Sequence, residues 1–246
     1  MKQTTKLLLQ RLLGYRRYLF LFALFTIRRQ KAGRHEKEFS SFLDMIPEEG
    51  VILDIGANIG IMTTVLALQR KHATVYAFEP IPENLAVLQR VVRHYGLKNV
   101  QVSGTALGDR NGTIEMVRPE IGQVKMQGLS HVVREHDDSA WNTGAVFSVP
   151  VRRLDDIPEL QHLPKISAVK IDVENFEYYV LHGGMELLRR HMPVIYCELW
   201  VDGLRGRCLE LMAGLGYTAT VHDGGQLVPY AGQDNSNFIF IPPGRS

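Results

Sequence analysis

The stretch Asp54-Ile55-Gly56-Ala57-Asn58-Ile59-Gly60 constrains what this chain can fold into more than any other. An apolar run over 51–55 stops at Gly56, and helical spacing of apolar residues begins at 61 and runs to 68. A buried strand, a glycine-bearing turn and a helix start, in that order, form the first unit of an open parallel sheet. Such sheets hold ligands beside the turns at the carboxyl ends of their strands. Gly56 and Gly60 are expected to let the backbone approach a ligand closely, and the helix start beyond Asn58 to offer free N–H groups.

The rhythm repeats. A second strand over 74–78 closes at Glu79-Pro80, and a helix over 82–95 begins on a proline and ends at Gly96. A third strand covers 100–103. Strands over 113–117 and 146–152 then flank a polar stretch, rich in Gly, His and Asp, of about 30 residues, longer than an ordinary connection and therefore expected to be functional or mobile. The α/β rhythm returns with a strand over 168–173, a helix over 176–188, a strand over 193–199 and a helix over 203–215. Strands over 217–221 and 237–241 close the chain, with Asp223-Gly224-Gly225 opening the excursion between them. Successive β-α units predict a doubly wound, mostly parallel α/β sheet with helices on both faces. At 246 residues and 45% apolar composition the chain can bury one such core.

Three nucleotide ligands compete for the glycine turn. A phosphate-gripping P-loop needs GxxxxGK[ST], and no Lys follows Gly56 at that spacing. A dinucleotide turn needs a second glycine where Asn58 stands. Asp54 would repel a diphosphate, but it suits a ligand carrying an ammonium and a sulfonium. S-adenosylmethionine is such a ligand. Glu79, at the end of the second strand, is placed to accept hydrogen bonds from both ribose hydroxyls, as an acid at that position also does in NAD sites. Asp109, in Ala106-Leu107-Gly108-Asp109 after the third strand, can accept from an adenine amino group or serve simply as a turn acid.

At these residues the chain resembles the FkbM-type methyltransferases. The matching pieces are VILDIGANIGIMT (51–63), YAFEPIPENLAVLQ (76–89), ALGD and NGTIEM (106–116), VKIDVENFEYYVLHGG (169–184) and PVIYCEL (193–199). The resemblance implies a class I methyltransferase fold, with a seven-stranded Rossmann-like sheet carrying one antiparallel strand near its edge. It further implies an S-adenosylmethionine donor and O-methylation, largely of sugars and secondary metabolites. The family pattern Asp-x-Glu-Gly reads Asp172-Val173-Glu174-Asn175 here. Asn tolerates a left-handed backbone better than most residues, so the turn can survive the exchange.

Methyl transfer to a hydroxyl asks the protein to hold the oxygen in line and to accept its proton. Candidates lie at strand ends: Asp172, toward the cofactor's methionine part; Glu174, toward the acceptor; and Glu198, with Trp200 as a wall for a sugar ring. His131 and His136 lie in the polar stretch and can close over the site; they and His222 can equally be solvated. The carboxylates have no spacing dedicated to a metal, and none is expected. The Asn/Asp-Pro-Pro-Tyr-like motif of many amino methyltransferases is absent after the fourth strand, which favours oxygen as acceptor.

Charge divides the chain unevenly. Residues 1–37 hold ten Lys or Arg and one acid, Glu36, leaving 18 of the 28 basic and 25 of the 26 acidic residues to the body. The expected organisation is therefore a helical extension over 1–45 and a methyltransferase domain over 46–246. The basic head suggests an anionic surface as partner, and nothing marks the body as a nucleic-acid binder. The apolar segment YLFLFALFTI (18–27) is too short to span a bilayer, which needs about 20 residues. It reads as a helix packed on the domain or as one lying at a membrane surface. A cleaved signal is disfavoured by Arg28-Arg29-Gln30, a poor cleavage site. The expected location is the cytoplasm, with peripheral contact at the inner face of the membrane. Cys197 and Cys208 sit in no metal or disulfide pattern, and Cys197 reads as a core residue. Two other functions compete: an NAD-dependent oxidoreductase, and a non-catalytic module that keeps the fold and binds a membrane or protein partner. Oligomeric state is left open by the sequence.

Overall fold

The computed structural model describes residues 3–31, 37–133, 143–201 and 203–244. Three helices, α1 (Gln3–Leu13), α2 (Tyr15–Lys31) and α3 (Lys37–Met45), precede the first strand. Then follow β1 (Glu49–Ile55), α4 (Ile61–Gln69), β2 (His72–Phe78), α5 (Pro82–Tyr95) and β3 (Val100–Ser103). Helix α5 runs between the predicted punctuation marks: Pro82 opens it, and Gly96, left-handed at φ 62°, closes it.

A second sheet grows out of the excursion. β4 (Ala106–Gly108), β5 (Gly112–Ile121), β6 (Val124–Lys125), β7 (His131–Val132) and β8 (Gly144–Arg153) form it, with β5 and β8 paired antiparallel from Gly112↔Val151 to Pro119↔Gly144. The sequence marked β5 and β8 only as shorter strands and did not separate them from the main sheet. α6 (Pro158–Gln161), β9 (Ile166–Ile171), α7 (Glu177–His182), α8 (Met185–His191), β10 (Val194–Glu198), α9 (Gly203–Gly214), β11 (Thr218–Asp223), β12 (Gln226–Pro229) and β13 (Asn237–Ile241) complete the described chain.

The main sheet has the order β12-β11-β13-β10-β9-β1-β2-β3. Its five strands from β3 to β10 are parallel, and β13 inserts antiparallel between β10 and β11. Seven strands thus follow the expected class I plan, and the eighth, β12, is a hairpin partner of β11 within the predicted excursion. Alternate residues of β1 enter different layers. Val51, Leu53 and Ile55 pack with Val180, Leu181, Cys208 and Met212, whereas Ile52 packs with Phe39, Phe42, Val65 and Leu66. Cys197 is fully buried in the first layer.

The predicted helix over 176–188 is broken in two at Gly183-Gly184. A Cβ on Gly183 would lie 1.9 Å from the Gly108 carbonyl oxygen, and one on Gly184 would lie 2.7 Å from Leu154 Cδ2. The glycines bring the chain against the end of β4, and Asp155 then accepts the Leu187 and Glu186 N–H groups at the start of α8 (2.9 and 3.2 Å).

Helix α2 buries Tyr18, Leu19, Phe20, Ala23 and Ile27 against Ile59, Val87 and Val91. The reading of 18–27 as a helix packed on the domain therefore holds for that face. Its other face keeps Leu21 and Phe25 exposed, 50% and 59%, and α1 exposes Leu8 and Leu12. Among the described residues no helix is long and apolar enough to cross a membrane.

Candidate active site at the strand ends

A cleft of about 650 Å³ opens at the carboxyl ends of β1, β2 and β9. Its floor is the glycine turn, and its roof is Gln127, Gly128, Ser130 and Val132 from the polar excursion. That stretch does fold over the site. His131, however, does not line the cleft, and its Nδ1 lies 2.9 Å from the Leu129 carbonyl. His136 lies outside the described residues. His222 is on β11, where its Nε2 meets Ser41 Oγ at 2.8 Å, away from the cleft.

The glycine turn is held from within. Gly56 and Ala57 both donate their N–H to the Phe78 carbonyl (3.1 and 2.9 Å), Gly60 donates to Ala57 (2.9 Å), and Asn58 donates to Glu79 Oε2 (2.8 Å). The N–H groups of Gly56, Ala57, Asn58 and Gly60 are therefore already bonded inside the protein. Gly56 is needed for another reason. It is left-handed at φ 76°, and a Cβ there would sit 1.8 Å from the Asp172 carbonyl oxygen, so it lets the turns after β1 and β9 touch. Gly60 does the same against Leu88, 2.7 Å from its would-be Cβ, and lines no part of the cleft.

Glu79 lines the cleft, yet is only 4% exposed. Besides the Asn58 N–H, it accepts the Ile81 N–H (2.9 Å) and the Asn84 side-chain amide (3.4 Å) on Oε1. Burial pushes its pKa up to about 7, against the pull of these donors and of Lys170. Among the described residues, Asn58 and Asn84 each keep a buried side-chain oxygen without a hydrogen-bond partner, and both line the cleft. Buried polar atoms of this kind are normally satisfied, so these two mark where a ligand with donors fits.

Asp54 is buried and lines no part of the cleft. Its Oδ2 accepts from Thr63 Oγ1 at 2.5 Å, and its Oδ1 lies 3.4 Å from Lys170 Nζ. Lys170 also reaches Asp172 Oδ2 at 3.4 Å and donates to the Gly56 carbonyl at 2.9 Å. Burial lowers the ammonium's pKa, but Asp172 and Asp54 raise it further, so it stays charged. Asp54 thus meets Lys170 and Thr63 rather than the cleft. The sequence reading missed Lys170. Its signal was there: a lysine inside an apolar strand must have carboxylates within reach.

Asp172 and Glu174 line the far end of the cleft. Glu174 and Asn175 are both left-handed, φ 53° and 68°, so the turn survives with Asn in place of glycine. Burial first, then the charges of Asp172, Glu198 and Glu177, raise the Glu174 pKa to about 8, with Lys170 opposing. Glu177, also missed in the sequence, is buried and accepts the Val173 N–H at 3.1 Å, which fixes this turn. Its own pKa is raised by burial to about 7. Glu198 ends β10 outside the cleft lining, and its charge acts on Glu174. Trp200 is exposed beyond it. Asp109 does not line the cleft; Thr105, Ala106 and Leu107 do so on that side. Among the described residues no group of three His, Cys, Asp or Glu is arranged to hold a metal.

The family model described as the methyltransferase FkbM domain matches residues 54–217. Relatives include the 31-O-demethyl-FK506 methyltransferase FkbM of Streptomyces tacrolimicus, 29% identical over 68% of this chain and 72% of that protein. They include also the 2-O-methyltransferase NoeI of Sinorhizobium fredii, 33% identical over 60% of this chain and 62% of that one. Among solved structures, a methyltransferase FkbM from Methylobacillus flagellatus KT shares the fold with a TM-score of 0.52 at 18% identity. The match covers 78% of this chain but 44% of that protein, so the chain spans less than half of its length.

Proposed function

The chain belongs to the methyltransferase FkbM family, and from that premise we propose that it is an S-adenosylmethionine-dependent O-methyltransferase acting on a hydroxyl of a saccharide or secondary metabolite. The observation that carries the donor assignment is the bonding of the glycine turn. With the N–H groups of Gly56, Ala57 and Asn58 used internally, and with Glu79 and Asp172 lining the cleft, the site repels a diphosphate and suits a cation. That disfavours an NAD-dependent oxidoreductase. A non-catalytic module is disfavoured by the acid poised at the far end.

S-adenosylmethionine, when bound, supplies a methyl group activated by its positive sulfur. The chain's own groups do the rest. Glu79 has lone pairs left for ribose hydroxyls, and Asn58 and Asn84 offer their orphaned oxygens to the ligand's N–H or O–H groups. Ile81, Ala106 and Leu107 give an apolar slot for a base. Asp54 and Lys170 hold Asp172 and the turn in place. Glu174 accepts the acceptor's proton. Its raised pKa keeps it protonated near neutrality in the ligand-free protein, and positive charge entering the cleft lowers that value, readying it when the donor site is filled. Glu198 tunes it through charge.

Oxygen as acceptor is supported by the relatives whose names record O-methylation. Trp200, exposed after β10, gives a sugar ring a face to stack on. Peripheral attachment to an anionic membrane through residues 1–37 belongs to the same proposal. Exposed Leu8, Leu12, Leu21 and Phe25, with exposed Arg16, Arg17, Arg28 and Arg29 around them, support it. The test is to supply donor with a labelled methyl group to the chain and a panel of glycans and hydroxylated metabolites. Label retained after base treatment in an ether-linked product supports the proposal; transfer only to amines would overturn the oxygen assignment.

A further inference from the structure

The cleft has a second arm whose wall lies outside the matched family domain. This arm, about 590 Å³, shares Gly56, Asn58, Gln127 and Asp172 with the first, so the two form one branched site. Phe22, Thr26 and Gln30 of α2 close it, facing Ile61, Met62 and the Lys170 ammonium.

Gln30 is the unexplained group there. Among the described residues its Oε1 is buried without a hydrogen-bond partner, and its Nε2 meets only Met62 Sδ, a weak acceptor, at 3.8 Å. A side-chain amide in that condition costs stability unless a ligand completes it. The helix bearing it is pinned. The Gln10 amide of α1 donates to the Lys125 carbonyl and accepts the Lys125 N–H, both at 3.1 Å, as a strand would. The Arg118 guanidinium lies 5.1 Å over the Tyr15 ring. The extension is thereby fastened to the excursion that roofs the first arm.

If the first arm takes the nucleoside, the second must take the amino-acid end of the same molecule, a zwitterion with three N–H donors and a carboxylate. Asp54 is buried against Lys170 and Thr63, which leaves Asp172, shared by both arms, as the acid on the ammonium's side. A neutral amide can serve both ends, its oxygen accepting from the ammonium and its NH₂ donating to the carboxylate. We propose that α2 is a structural part of the donor site and that Gln30 binds the donor's amino-acid tail. The inference rests on the functional reading above and adds to it a contribution from the N-terminal extension.

The experiment titrates the full chain and Gln30→Ala with two ligands: S-adenosylmethionine, and 5′-methylthioadenosine, which keeps the nucleoside and sulfur but lacks the tail. Loss of hydrogen bonds to charged groups should weaken S-adenosylmethionine by about tenfold or more, with methylthioadenosine affinity unchanged. Thr26→Leu, which narrows the same arm, should show the same selectivity. Equal weakening of both ligands would reduce Gln30 to a fold-stabilising residue and overturn the inference. So would unaltered affinity for both in the two variants. Failure of the unaltered chain to bind either ligand would overturn the functional reading and this inference together.

Discussion

Replacing Glu79 separates the two jobs that its carboxylate performs. It holds the turn after β1 through the Asn58 N–H at 2.8 Å and the turn after β2 through the Ile81 N–H at 2.9 Å, almost wholly out of water. Glu79→Ala leaves both N–H groups without partners, at about 1–3 kcal/mol each, or roughly 2–6 kcal/mol of stability. At about 2–4 °C per kcal/mol for a chain of this size, the melting temperature should fall by roughly 4–24 °C. Glu79→Gln keeps one acceptor and should lose about half of that. Donor affinity should fall further than stability predicts. Two ribose hydroxyls bonded to a charged acceptor contribute about 1.5–3 kcal/mol each, so Ala should weaken S-adenosylmethionine by about a hundredfold or more and Gln by about tenfold or more. Calorimetric titration well below each variant's melting temperature reads this out. pH adds an independent check. The folded-state pKa of about 7 lies above the unfolded value, so Glu79 stabilises the ligand-free fold at low pH and that contribution is lost as pH rises from about 4.5 to 7. In Glu79→Gln this part of the slope should vanish. Wild-type affinity in a folded Glu79→Gln would refute the reasoning.

Glu174→Gln should lower kcat by about a hundredfold or more while leaving donor affinity within roughly threefold, and should remove an ascending pH limb at or below about 8 in kcat/KM; a retained limb would assign it to another carboxylate of the coupled group. Gly56→Ala combines a left-handed backbone with a Cβ driven onto the Asp172 carbonyl, so it should cost about 2–5 kcal/mol by thermal unfolding, and a variant as stable as wild type would contradict the packing account. Leu21→Asp with Phe25→Asp should reduce sedimentation with phosphatidylserine-containing vesicles without changing donor affinity; unchanged sedimentation would remove the membrane proposal.

The strand ends were legible because buried parallel strands leave continuous apolar runs, and punctuation by Pro82 and Gly96 set α5. Asp172, Glu174 and Glu79 were legible as carboxylates ending such runs, and they converge on one cleft. What stayed hidden was pairing at a distance. That Asp54 faces Lys170, and that Gly56 lets the Asp172 carbonyl come close, follow from the β1–β9 register, which no local pattern states. The break at Gly183-Gly184 answers to β4, a strand of three residues too short to show any period. Glu177 was passed over because nothing local marks an acid in the first turn of α7, and its burial arises only once α7 folds back over the turn.

The central claim is that this cleft receives a cationic sulfur nucleoside. Equilibrium titration of the intact chain with S-adenosylmethionine, run beside NAD, tests it most directly. Saturable binding of the first at one per chain, with no heat from the second, is the predicted result. Binding of NAD with none of S-adenosylmethionine would contradict it.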